Sequence, residues 1–157
     1  ELSPGEFSAR VMQDVLERNA SMIVIDSLDA YLHAMPGQSF MLLHMHELLS
    51  FLNQQGVMTV LVVGQHGLVG HTQAEIDISY LSDAILLYRY FEAESEVRTA
   101  ISAVKSRSAE TQRTIHEFRL DAAGGLRIGE VLVGFEGILG GMVTYTGATA
   151  MMPSEAP

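Results

Sequence analysis

Apolar positions recur at helical spacing near the start of the chain. Phe7, Val11, Met12, Val15 and Leu16 fall on one side of a 3.6-residue repeat. Ser3, Pro4 and Glu6 stand just ahead of them as N-cap, first helical residue and capping-box partner, so a helix is expected to open there. Met22-Ile23-Val24-Ile25 is a short apolar run, mostly β-branched, that closes on Asp26 and predicts a strand buried on both faces. Pro36 and Gly37 interrupt the pattern. A second helix is expected after them, with Leu42, Met45, Leu49 and Leu52 on one face and Gly56 as its stop. Val57 to Gly64 is again wholly apolar apart from Thr59 and lacks polar alternation. Strands of this kind with helices between them predict a mostly parallel α/β sheet flanked by helices.

The pattern changes further on. Gly64 to Tyr80 reads as a polar loop and Ala84 to Phe91 as a third apolar strand. Glu94-Ser95-Glu96 reads as a turn, and Val97 to Arg107 and Arg113 to Leu120 as extended segments. Connections this short favour antiparallel hairpins toward the C-terminus. From Gly124 onward glycine is frequent and the periodicity weakens. The expected division is a domain over 1–141 and a C-terminal tail over 142–157.

Composition narrows the function classes. The chain has 157 residues, 48% apolar and 18% charged, which suits one globular domain with a sizeable core. Its longest apolar runs fall far short of a membrane span, no basic-then-apolar leader opens it, and it has no cysteine. A cytoplasmic protein without a membrane partner is the resulting expectation. The formal net charge of −10 repels phosphate backbones, so no nucleic-acid partner is expected for this segment.

Several residues could carry chemistry. Asp26 ends an apolar strand, and ligands of open parallel sheets bind outside the carboxyl ends of the strands. A carboxylate there either holds Mg²⁺ beside a nucleotide, as a Walker B aspartate does, or caps a following helical turn. Gln65, at the end of the next strand, either orients an attacking water or is a polar residue where a strand meets solvent. Lys105 and Arg107 lie at i, i+2 in an extended segment. On a regular strand they share a face about 7 Å apart, a spacing suited to a polyphosphate or to an edge strand charged against aggregation. Lys105 is the only lysine, and no glycine occurs in the eight residues before it, so the chain contains no Walker A motif. Either these residues belong to a larger domain, or they do not form a nucleotide-hydrolysing unit. The six histidines lack metal-ligand spacing and read as structural or solvated.

In order along the chain, Leu2 to Phe7 (LSPGEF), MIVIDSL over Met22 to Leu28, the strand ending in Gln65-His66-Gly67, SYLSDAILLYRYFE over Ser79 to Glu92 and AISAVKSRSAETQRTIHEFRL over Ala100 to Leu120 resemble the KaiC-like branch of the RecA-superfamily ATPases. The resemblance runs from about Leu2 to Gly141. It implies part of a RecA-like P-loop NTPase core, assembly into hexameric rings, and ATP with Mg²⁺ bound between neighbours. Asp26 would match the Walker B aspartate at the Mg²⁺ site. Lys105 and Arg107 would match a pair that reaches the γ-phosphate held by the adjacent subunit, and Arg113 a further basic position. In that family the P-loop precedes the part matched here, and Thr111 stands where relatives often have histidine. The resemblance thus implies the Walker B and trans-acting portion of a regulatory or signalling ATPase, inactive by itself. The alternative is a non-catalytic interaction or oligomerisation module that kept the fold but not the nucleotide chemistry; self-association and signalling-protein partners are expected for the chain in general.

Overall fold

Helix α1 spans Pro4–Arg18 in the computed structural model, which describes residues 3–29, 38–64, 79–107, 110, 112–121, 124–140 and 142–147. Its start is the expected capping box: the Ser3 N–H donates to Glu6 Oε2 (2.7 Å) and the Glu6 N–H to Ser3 Oγ (3.3 Å). The Ser3 hydroxyl, and secondarily its backbone, hold the Glu6 carboxyl below the ordinary carboxylate value. Asn19 ends the helix in the left-handed region (φ 50°), a conformation asparagine tolerates better than most residues.

Two compact units follow from the pattern of contacts, Glu1–Gln65 and His66–Pro157. In the first, β1 (Met22–Asp26) pairs in parallel with β2 (Met58–Val62), from Met22 opposite Met58 to Asp26 opposite Val62. Helix α2 (Gln38–Gln54) joins them. Val15 of α1, Ile25 of β1, Leu48 and Leu52 of α2, and Val57 form one buried cluster, with Val11, Ile23 and Leu61 packed against it. Both helices therefore feed the same face of the strand pair. Met22 and Val24 point the other way and are 53% and 56% exposed, which corrects the expectation that β1 is buried on both faces.

The buried stripe of α2 is Met45, Leu48 and Leu52, and Leu49, expected on it, is half-buried. The stripe follows i, i+3, i+7 rather than i, i+4, i+7, a rotation of the helix too small for the periodicity to decide. Its end was legible. Gly56 takes φ 71°, its N–H donates to the Asn53 carbonyl oxygen (2.9 Å), and the Val57 N–H donates to that of Leu52 (2.9 Å). This is a Schellman closure in which Val57 and Leu52 also share the core.

The second unit is built on antiparallel strands: β3 (Ala84–Ala93), β4 (Glu96–Ser106), β5 (Ile115–Leu120) and β6 (Leu126–Val131), in spatial order β3-β4-β5-β6. A single 3-10 turn, Ser79–Leu81, precedes β3. Glu94 and Ser95 form the expected turn between β3 and β4, both at positive φ (53° and 61°), the sense that matches strand twist in a two-residue hairpin. Phe91, Ala93, Ala100, Leu132, Phe135 and Ile138 make the core. Phe135 meets the Phe91 ring edge-on at 5.4 Å and Tyr145 at 5.0 Å.

Beyond Gly124, where periodicity fades, the chain adds β6 and a small ladder of β7 (Phe135–Glu136) with β8 (Thr144–Tyr145), the latter inside the stretch read as a tail. Gly137 (φ 76°) makes that return possible, since a Cβ there would collide with the Met142 carbonyl oxygen. The fold is thus mixed α/β, parallel near the N-terminus and antiparallel toward the C-terminus.

Candidate functional site

Asp26 closes β1 at the carboxyl end of the parallel pair and is exposed. The strand alternation that turns Ile23 and Ile25 toward the core puts Asp26 with Met22 and Val24 on the open face. The Asp26–Ser27 peptide bond is cis. Past it the chain turns so that Asp29 Oδ2 accepts a hydrogen bond from the Gly64 N–H (2.7 Å). The two segments leaving the strand ends are therefore tied across 35 residues of sequence. A Cβ on Gly64 would stand 3.0 Å from Asp29 Oδ2, so glycine admits the close approach. Gln65, the next residue, lies outside the described residues.

Lys105 and Arg107 belong to the second unit, at the far end of β4. Lys105 is half-buried and pairs with Ile85. The register shifts between the Ile85–Lys105 and Leu86–Ala103 pairs, leaving Val104 as the extra residue of a bulge, a device that re-aims side chains at strand ends. Arg107 lies one residue past the strand, so the regular-strand spacing expected for the pair stops short of it. It is held by the turn before β3: Nη1 contacts Asp83 Oδ1 (3.1 Å) and Nη2 donates to the Tyr80 carbonyl oxygen (2.8 Å). Arg113 is exposed and precedes β5, which begins at Ile115 rather than Arg113.

This order of elements has counterparts in known proteins. The family described as "ATPase: KaiC" matches residues 1–132. The chain belongs to the KaiC ATPase family. The circadian clock protein KaiC3 of Synechocystis sp. is 30% identical over 138 residues, which are 87% of this chain and 27% of that protein. The chain thus spans about a quarter of the length of this KaiC relative. The crystal structure of the KaiC-like protein PH0186 from Pyrococcus horikoshii OT3 superposes with a TM-score of 0.67 at 17% identity, over 83% of this chain and 56% of that one. The second likeness is one of fold.

KaiC-family membership raises the question of how far the residues fit ATP and Mg²⁺. Mg²⁺ at nucleotide sites keeps waters and phosphate oxygens and takes only one or two carboxylates. An exposed aspartate at the carboxyl rim suits that need, and among the described residues no cluster of three His, Cys, Asp or Glu offers an all-protein cage. The cations at the end of β4 suit phosphate oxygens. The glycine-rich phosphate cradle has no counterpart in the 157 residues. The fit is to the metal side and to charge neutralisation, not to the cradle.

The pattern along the chain did not reveal one other polar assembly of this KaiC-family chain. Arg98 is 6% exposed and Glu117 2%, and Arg98 Nη1 donates to Glu117 Oε1 (3.1 Å). Arg98 Nη2 also meets Glu94 Oε2 (3.2 Å) and Glu96 Oε2 (2.9 Å), while Arg119 Nη2 reaches Glu117 Oε1 (3.4 Å). The available signal was that Arg98 and Glu117 occupy inward positions of their strands, where Ala100 and Ser102 are also buried. The imidazole of His116 is engaged structurally, with Thr114 Oγ1 at 2.8 Å and the Gly129 carbonyl oxygen at 3.0 Å.

Proposed function

We propose that the chain is the Walker B and trans-acting portion of an ATP-binding and hydrolysing domain over 1–141, cytoplasmic, with a regulatory or signalling task. The observation that carries this reading is an exposed aspartate at the carboxyl end of a parallel strand pair, in a chain of the KaiC ATPase family. Asp26 holds the Mg²⁺ of bound ATP through water. Gln65 orients the attacking water. Lys105 and Arg107, with Arg113 in support, neutralise the γ-phosphate of ATP held by the neighbouring protomer of a hexameric ring. Held by Asp26, Mg²⁺ would neutralise phosphate charge. The phosphate cradle comes from outside residues 1–157.

The test is complementation in the full-length protein. Lys105→Ala and Asp26→Asn, each alone, are expected to lower ATP turnover strongly. Mixed in equal amounts they are expected to recover about a quarter of wild-type turnover, since only a heterologous interface between the two variants pairs an intact Asp26 with an intact Lys105. Wild-type rates in both single variants, or a mixture as inactive as its parts, refute the trans-acting role.

A second reading, a non-catalytic self-associating module, is favoured by the open apolar face of the first unit, where Met22, Val24 and Met58 are 53%, 56% and 60% exposed. In either reading the 157-residue chain is expected to self-associate. Sedimentation velocity is expected to give a weight-average mass that rises with concentration. A single 17.1 kDa species throughout contradicts this.

A further inference from the structure

Arg107 is fastened at both its backbone and its side chain. Its N–H donates to the Asp83 carbonyl oxygen (2.8 Å), Nη1 meets Asp83 Oδ1 (3.1 Å), and Nη2 donates to the Tyr80 carbonyl oxygen (2.8 Å). The side chains of Arg107 and Asp83 are 56% and 66% exposed. Exposed ion pairs contribute little to stability, so stability does not account for three contacts converging on one residue. What they do fix is direction. A guanidinium is a rigid plane with five N–H donors, and holding one donor on each of its two terminal nitrogens sets the orientation of the whole plane. The remaining donors are then aimed without further loss of rotamer freedom when an anion arrives.

We propose that Asp83 is a positioning residue that, with the Tyr80 carbonyl, directs the Arg107 guanidinium toward the terminal phosphate of a nucleoside triphosphate carried by a neighbouring protomer. This rests on the reading of Arg107 given under Proposed function. The carboxylate opposes an incoming anion electrostatically, but at an exposed site water and salt weaken that repulsion, and the second contact, to the Tyr80 carbonyl oxygen, orients the plane without adding a negative charge. The balance favours positioning over charge. It also separates Asp83 from an inhibitory clamp, because a clamp competes with phosphate for Arg107 and its removal speeds the reaction.

The experiment has two arms. On the 157-residue chain, ¹H–¹⁵N spectra of the arginine side chains are expected to show restrained Arg107 signals that become motionally averaged in Asp83→Ala and stay restrained in Asp83→Glu. In the full-length protein, Asp83→Ala is expected to lower kcat about tenfold, the scale of a small misalignment of a charge-stabilising group, with KM for ATP within about twofold. Asp83→Asn, which keeps the acceptor, falls between, and Asp83→Glu restores most of the rate. Asp83→Ala is expected to add nothing when Arg107 is already alanine, the non-additivity of residues acting through one another. Averaged Arg107 signals in the wild type, an unchanged or faster Asp83→Ala enzyme, or the same loss in both backgrounds overturns the positioning role. A silent Arg107→Ala overturns instead the reading on which the role depends.

Discussion

Asp26→Asn in the full-length protein is expected to lower ATP turnover by about 100-fold or more, roughly 3 kcal/mol of transition-state stabilisation. The carboxylate sits at the exposed carboxyl end of β1, where its charge does nothing for the core beneath it. Val15, Ile25, Leu48, Leu52 and Val57 carry that packing, and none of them is touched by the change. Melting temperature is therefore expected to stay within about 2 °C of wild type, while activity collapses. Asparagine keeps the size and one carbonyl oxygen but removes the negative charge that attracts a hard dication. Raising Mg²⁺ into the millimolar range is expected to restore part of the lost rate in Asp26→Asn and to leave Lys105→Ala unchanged. Turnover within twofold of wild type for Asp26→Asn, or loss of activity that only follows loss of fold, removes Asp26 from the metal site.

Local rules read the first unit well. A Ser-Pro-x-Glu start and a glycine after the last apolar turn specify hydrogen bonds among near neighbours, and Ser3, Glu6, Asn53 and Gly56 make the bonds their order implies. The apolar runs announced β1 and β2 without saying which face would be covered. Met22 and Ile23 are equally apolar, and only the arrival of both helices on one side separates them. The second unit was less legible for a related reason. β6 breaks its apolar positions with Arg127, Gly129 and Glu130, β7 and β8 are two residues each, and a two-residue strand has no period to detect. The Asp29–Gly64 and Asp83–Arg107 contacts join residues 35 and 24 apart, separations at which no spacing rule operates. Candidate residues on strand ends could be named from the chain, but the side chains that hold them could not.

The ion cluster around Arg98 is expected to be costly to break from one side, and Arg98→Met is expected to cost about 3–5 kcal/mol, the range for removing one partner of a buried ion pair. The reason lies in what remains. Without Arg98, the carboxylate of Glu117, with its side chain 2% exposed, loses its 3.1 Å ion pair and keeps the longer one to Arg119 at 3.4 Å. Glu94 and Glu96, with side chains 70% and 43% exposed, can turn to water and lose little. Glu117→Gln is expected to cost less, because Arg98 retains the two outer carboxylates and the new amide still offers an acceptor. Replacing both partners with apolar groups, Arg98→Met with Glu117→Leu, is expected to recover most of the loss, since the buried carboxylate is then removed together with the cation at 3.1 Å. Urea unfolding followed by tyrosine fluorescence measures this directly: four of the five tyrosines, Tyr80, Tyr88, Tyr90 and Tyr145, lie in the second unit, and the chain has no tryptophan. Added salt is expected to leave the Arg98→Met penalty nearly unchanged, because screening acts on exposed charges and not on a pair closed off from solvent. A penalty below about 1 kcal/mol, or a double variant as unstable as Arg98→Met alone, places the stability of the sheet in its apolar side and makes the cluster a bystander.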